Sequence, residues 1–418
     1  MDLSQYGRKF TKTSGIGQLM DDLGHAMSVG KDLCMLGGGN PGFIPEVAEE
    51  FRRELDYIAR NEEVFRSALG NYDSPIGDPV FREALANLLN KEYGWGLGPE
   101  NIAITLGSQS SFYALFNFFA GERENGRRKK IMLPLTPEYI GYADLGIETD
   151  IFKSFKPGFE FIGDTQYKYH INFDAMEDLD DVAAICVSRP TNPTGNVLTD
   201  QEVHKLDALA GKLGVPLILD NAYGTPFPNI IFTEAEPIFT KNTILCMSLS
   251  KLGLPGTRTG IVIANEEITT LISRMNAIAA LAPASMGTAM TRRLVENGRL
   301  LEISRDIIRP YYQSRAMAAA DVLTSQLDGL NCRIHKPEGA LFLWLWCKDL
   351  PIKSEELYER LKKRGVLVIP GHHFFTGVDP DWSHRHECIR ITYSQSEEVV
   401  NKGLRIIAEE VHKAYSHG

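Results

Sequence analysis

No stretch of this chain reaches the roughly 18 consecutive apolar residues that a membrane-spanning helix needs, and the opening MDLSQYGRKFTKTSG has no apolar signal region. The expectation is a cytoplasmic protein without a membrane partner. Basic charge is also short. Lys and Arg number 44 against 54 Asp and Glu, a formal net charge of -10. That works against a nucleic-acid partner, whose phosphates must be met by a basic face. The six cysteines (34, 186, 246, 332, 347 and 388) are scattered, several inside apolar runs, and none forms a CxxC. They read as buried thiols in a reducing compartment. Internal repeats and low-complexity tails are absent too.

What is present is an ordinary globular composition, 43% apolar and 23% charged over 418 residues. The length suits two or three domains around a large core. Strand-like runs alternate with helical patterns through the middle of the chain: IAIT, KKIML, TDIFKSF, DVAAICV at 181–187, VPLILD and TILCMS. A helix beginning at TDQEVHKLDALAGKLG precedes VPLILD, with Thr199 as its cap and Glu202 as the capping-box partner. Strand–helix–strand units of this kind argue for a mostly parallel sheet flanked by helices. The alternation runs from about 47 to about 288. Beyond it, a long helical pattern from about 286 to 325 leads into KPEGALFLWLWCKDL, SEELYERLKKRG, VLVIP and HECIRITYS, a mixed α+β pattern. The expected fold is therefore α/β: a three-layer αβα large domain over 47–288, and a small α+β domain from 1–46 and 289–418.

The chain is organised around 220–258. One strand delivers Asp220 to its end, and the next ends in Ser248, Ser250, Lys251 and a Gly-rich turn before Arg258. A carboxylate at one strand end and a lysine at another suit a cofactor with a protonatable ring that reacts with an amine, such as pyridoxal phosphate. Gly107-Ser108-Gln109-Ser110 between a strand and a helix offers backbone N–H groups and hydroxyls to an anion. Gly37-Gly38-Gly39 before Asn40-Pro41 lets backbone approach a ligand closely, or forms a plain turn.

The ordered motifs NPTG at 192–195, DNAY at 220–223 and SLSKLGLPGTRTG at 248–260 resemble the fold-type I pyridoxal-phosphate aminotransferases of the class I/II group. The resemblance extends from GGGNP through Asn71-Tyr72, GSQS and PEYIGY to IRITY, nearly the whole chain. It implies that Lys251 carries the cofactor and shuttles the substrate proton, while Asp220 pairs with the pyridine nitrogen. Asn192 and Tyr223 would hydrogen-bond the phenolic oxygen of the ring. Arg258, Ser248, Ser250, Ser108 and Gln109 would hold the phosphate. Tyr139 would stack on the ring, with core packing as its competing use. Tyr72 would reach the phosphate of a neighbouring subunit, which implies a homodimer with shared sites. Arg390 would fork onto the substrate α-carboxylate, beside Gly38, Gly39 and Asn192. The substrates implied are amino acids and 2-oxo acids. No residue offers itself for a side-chain carboxylate, which favours a neutral, monocarboxylic amino acid. A lyase or synthase on the same scaffold, eliminating at the β or γ carbon or forming a cyclopropane, would use the same lysine, aspartate and phosphate cradle.

Two other signals are set aside. His372, His373, His384, His386 and Cys388 crowd one region, and alternating His384-x-His386-x-Cys388 could share a face. The expectation is nevertheless that no metal is bound, and that His373 or Phe375 is better suited to lining the substrate pocket. Phe342, Trp344 and Trp346 alternate as one buried face of a strand does, and packing is their expected use.

Overall fold

The computed structural model describes residues 1–12, 17, 24 and 33–416. Its main sheet runs in the order Ile102–Thr105, Gly260–Ile263, Thr243–Ser248, Leu217–Asp220, Val182–Ser188, Arg128–Leu133, with Gly121–Glu122 and Phe152–Ser154 both pairing the last of these. Neighbours from Thr243–Ser248 to Arg128–Leu133 are parallel, whereas Gly260–Ile263 is antiparallel to both its neighbours. The sheet is thus mostly parallel, as expected of a doubly covered α/β layer.

The runs are apolar throughout because both faces are covered. Ile244 and Cys246 join Ala103, Phe112, Phe116, Ile218 and Val262 on one side, under the helices Ser108–Phe119 and Glu266–Ala279. Leu245 and Met247 join Ile104, Val187, Leu219 and Leu206 in the core on the other side. Period-two alternation along each strand sends successive side chains into different cores. The helix Asp200–Leu213 starts with the expected capping box: Glu202 N donates to Thr199 Oγ1, Thr199 N donates to Glu202, and Gly214 closes it at φ 66°.

A second sheet has the order Ile369–Pro370, Cys388–Thr392, Phe342–Cys347, Cys332–His335, Gln166–His170, Gly158–Ile162. The hairpin 158–170 lies inside the 47–288 span expected for the large domain, yet its strands belong to this other sheet. The reason is aromatic packing. Tyr167 and Tyr169 are fully buried, and the Tyr169 hydroxyl accepts from Trp344 Nε1 at 3.1 Å. Lys168 forms a buried ion pair with Glu338. At the other end of the chain, Cys34–Met35 pairs with Val366–Leu367 in parallel, tying the N-terminal segment to the C-terminal third. The helical pattern 286–325 is divided into Met286–Glu296, Arg299–Ile303, a π turn Ser304–Ile308, and Arg309–Gln326. All six cysteines are buried and none is joined in a disulfide among the described residues.

Thr199→Ala removes a helix cap that does not line the cavity of Lys251. The expected cost is about 1 kcal/mol, seen as a thermal midpoint lowered by on the order of 1–2 °C with turnover unchanged. An unaltered midpoint would show that the box contributes nothing to the folded state.

Candidate active site

Strand register assembles the site. Parallel pairing sets Ser188 opposite Asp220 and Asp220 opposite Cys246, so the carboxyl ends of three strands lie along one edge. The antiparallel strand begins where its neighbours end. Its Gly260 is opposite Ser248 on one side and Thr105 on the other. Arg258 therefore arrives beside the turn Gly107-Ser108 that opens the helix Ser108–Phe119. Two glycines permit the approach. A Cβ at Gly260 would lie 2.8 Å from Ser108 N, and one at Gly107, where φ is 87°, would collide with the Arg258 guanidinium.

These ends face a cavity of about 300 Å³ lined by Gly39, Ser108, Gln109, Tyr139, Asn192, Asp220, Tyr223, Ser248, Ser250, Lys251, Arg258 and Arg390. Every expected cofactor and substrate residue is there except Gly38 and Tyr72. Gly38 does not line it. The carbonyl of Gly37 accepts from Arg390 Nη2 at 2.6 Å. Tyr72 is 83% exposed and lies away from this chain's cavity. His373 and Phe375 do not line it either. Gln109 spends its amide on the carbonyl of Gly141, at 2.9 Å.

Arg390 is held rigidly. Nη1 donates to Asn192 Oδ1 at 2.7 Å, and the guanidinium carbon lies 4.0 Å from the centre of the Phe342 ring. Phe342, read from its alternation as packing alone, is thus a floor for the arginine. Arg390 Nε is buried and makes no hydrogen bond. Burial brings Arg390 down to about 10. Lys251 Nζ donates to the Gly39 carbonyl at 2.5 Å and lies 5.2 Å from the centre of the Tyr223 ring. Burial, with Arg390 next, brings the Lys251 ammonium down to about 8. Burial raises the Tyr223 phenol, and Asn192 hydrogen-bonds it from beside.

Asp220 has a shell that its sequence motif does not announce. The Tyr142 hydroxyl donates to Oδ2 at 2.5 Å and Ala222 N to Oδ1 at 3.1 Å. Behind it, Ser188 N and Oγ donate to Glu138 at 2.8 and 2.5 Å. Burial pushes Asp220 up to about 6 and Glu138 up to about 8. The spacing of PEYIGY was the available signal: Tyr139 faces the cavity, and Tyr142, one helical turn on, faces the aspartate.

Comparison with known proteins gives the family. Residues 147–407 match the family model for aminotransferase class I and II. A valine–pyruvate aminotransferase of Escherichia coli (strain K12) is 50% identical over 100% of this chain and 99% of its own length. This chain belongs to the class I and II aminotransferases. It is a pyridoxal-phosphate-dependent enzyme of fold type I. A putative amino-acid aminotransferase from Psychrobacter arcticum 273-4 superposes with a TM-score of 0.97 at 44% identity, covering 100% of both chains. The valine–pyruvate aminotransferase of Salmonella typhimurium LT2 superposes with a TM-score of 0.89 at 48% identity, covering 96% of this chain and 100% of that one.

The aminotransferase's own residues fit the cofactor. Asp220 is a buried carboxylate whose hydrogen-bond donors are both neutral, and a protonated pyridine nitrogen is the counter-charge it lacks. Arg258 makes a single long bond, 3.5 Å to the Leu106 carbonyl, at a helix start whose first N–H groups have no acceptor within the helix. A phosphate answers both.

Because the Asp220 carboxyl titrates near 6 rather than in its usual range, its charged form is disfavoured in the folded state. That cost is absent below about pH 4 and complete above about pH 6. Asp220→Asn is therefore expected to stabilise cofactor-free protein at pH 8, by at most about 3 kcal/mol. The gain should shrink as pH falls toward 5, read from thermal midpoints at both values. An equal gain at both would assign it to packing.

Proposed function

We propose that the enzyme moves an amino group between a neutral aliphatic amino acid, valine or alanine, and a 2-oxo acid, pyruvate or 2-oxoisovalerate, in ping-pong fashion. The observation that carries the neutral preference is the count of charges around the cavity. Lys251, Arg258 and Arg390 are the cations lining it among the described residues. With Arg258 at the phosphate, Lys251 at the reacting carbon and Arg390 on the α-carboxylate, none remains for a second carboxylate. The relatives named for valine and pyruvate, at 50% and 48% identity, support the finer reading. So do the strings NYDSPIG, LTPEYIGYAD, SRPTNPTGNVLTD and HKPEGALFLWLW, which resemble that enzyme.

Bound pyridoxal phosphate supplies an aldehyde for the amino group and a ring that withdraws electrons from the α-carbon. The chain supplies orientation and proton transfer. Arg390, with two N–H groups already committed to Asn192 and Gly37, has a fixed fork for the substrate carboxylate, which sets the direction of the Cα–H bond. Lys251, lowered to about 8, holds a useful neutral fraction near pH 7 and is the base that takes the α-proton and returns it. Asp220, hydrogen-bonded by Tyr142, keeps the ring nitrogen protonated. Asn192 and Tyr223 stand together for the phenolic oxygen, and Tyr139 for the ring face.

We place the reaction in the cytoplasm and assign Tyr72 to the neighbouring site of a homodimer. Tyr72 (83% exposed), Leu69 (57%), Ile278 (85%) and Leu281 (64%) supply apolar surface of the kind a second copy covers.

Lys251→Ala should lower turnover by at least about 1,000-fold. Arg390→Ala should raise KM for amino acid and oxo acid together by on the order of 100-fold, since both present the same carboxylate. Unchanged kinetics for either substrate would remove that role. A panel of amino donors against pyruvate and 2-oxoglutarate tests the specificity; a preference for aspartate or glutamate would overturn it. Mixed dimers of Lys251→Ala and Tyr72→Ala subunits should regain activity that neither parent has, because one site then keeps both residues. No recovery would place Tyr72 outside the neighbouring site.

A further inference from the structure

The geometry points to a divalent zinc-type metal site built by Glu355, His372 and His386, outside the catalytic cavity. The donor atoms of the three all lie within 4.8 Å of one another. They come from different elements. Glu355 opens the helix Ser354–Lys363, His372 is in the turn Gly371–Phe374, and His386 ends the turn Ser383–His386. None of the three lines the cavity of Lys251.

The hydrogen bonds orient the rings as ligands. His386 Nε2 is 3.2 Å from the Pro380 carbonyl, which can only accept, so the tautomer protonated at Nε2 satisfies this contact. In that tautomer Nδ1, 2.9 Å from Glu355 Oε1, has its lone pair free for a cation shared with the carboxylate. His372 Nδ1 is 3.4 Å from the same oxygen, buried and without a hydrogen bond. The two rings are nearly parallel, 12° apart, with centroids separated by 5.8 Å. An extra proton on His386 would answer one of these contacts and leave the other nitrogen as it is. One cation answers both nitrogens and the carboxylate.

The separations suit a small tetrahedral ion. Ligand bonds of about 2.0–2.1 Å set neighbouring donors about 3.3 Å apart, against the 2.9 and 3.4 Å found here. Two imidazoles and a carboxylate select zinc over calcium or magnesium, which prefer oxygen. The outer partners are those of metal-bound histidine and carboxylate: a backbone carbonyl behind His386, and Ser354 Oγ on Glu355 Oε2 at 3.1 Å. The side chains are 20–36% exposed, so water has access to the remaining position. The opposing charge is Arg385, whose guanidinium is tied to the carbonyls of His372 and Val378.

The site differs from the alternating trio suggested by sequence. His384 is turned inward to the Tyr169 hydroxyl at 2.5 Å and Cys388 is buried beside it, while His386 faces Glu355, which is distant in the chain. A metal here would clip the turn 371–374 to the helix at 354–363. That turn bears on the active site, since the Phe374 carbonyl accepts from Glu138 N at 2.9 Å and its ring lies 5.3 Å from Arg390.

The test uses untagged holoenzyme, treated with chelator, desalted, and titrated with zinc chloride by calorimetry. The expected result is one zinc per chain, with a raised thermal midpoint. Glu355→Gln, His372→Asn and His386→Asn should each weaken binding at least about 100-fold, while His204→Asn leaves it unchanged. Cobalt in the wild-type protein should give the visible bands of a nitrogen- and oxygen-ligated ion, which keeps the test open if a variant fails to fold. Absence of stoichiometric zinc, or binding that survives in the Glu355→Gln/His372→Asn double variant, would overturn the proposal.

Discussion

The structure depends on enclosing charge that has no complete partner within the chain. Asp220, Lys251 and Arg390 share one buried cavity, and burial shifts each away from its ordinary ionisation. A core tolerates this only when ligands complete the pairing. A ring nitrogen, a phosphate and an α-carboxylate are the complements of Asp220, Arg258 and Arg390. The same burial lowers the proton affinity of Lys251, which under the proposed function would make it a base near neutrality.

The sheet makes the enclosure possible. Three parallel strands bring their carboxyl ends to one edge, and one antiparallel strand brings its beginning there. Without that reversal Arg258, which precedes Gly260, would lie at the far end of the sheet. The second sheet contributes Arg390 and Phe342 from adjacent strands, Trp344 being the register partner of Arg390. Its hold on the first domain is reinforced by the hairpin 158–170, which crosses over to bury Tyr167 and Tyr169.

Much of the site was legible because its residues lie within short motifs. Asp220 with Tyr223, and Ser248, Ser250 and Lys251 with Arg258, are separated by the local geometry of strand ends and turns. Such spacing survives in the linear text. The shell behind them was not legible in this way. Tyr142 reaches Asp220 across 78 positions, Ser188 reaches Glu138 across 50, and Asn192 reaches Arg390 across 198. The histidines show the same limit: the alternation that would put His384, His386 and Cys388 on one face, set aside from the sequence, is broken by the turn Ser383–His386, where His384 turns to Tyr169 and His386 to Glu355.

By itself the sequence determined the strand–helix alternation, the capping box at Thr199, the αβα class and most of the residues that the cavity gathers. These follow from periodicity and neighbouring residues, which are local properties of the chain. Tertiary structure alone decided that the Gly37 carbonyl holds Arg390, that Phe342 supports it, and that the hairpin 158–170 belongs to the other sheet. Those outcomes depend on which surfaces exclude water together, and no local spacing encodes that pairing.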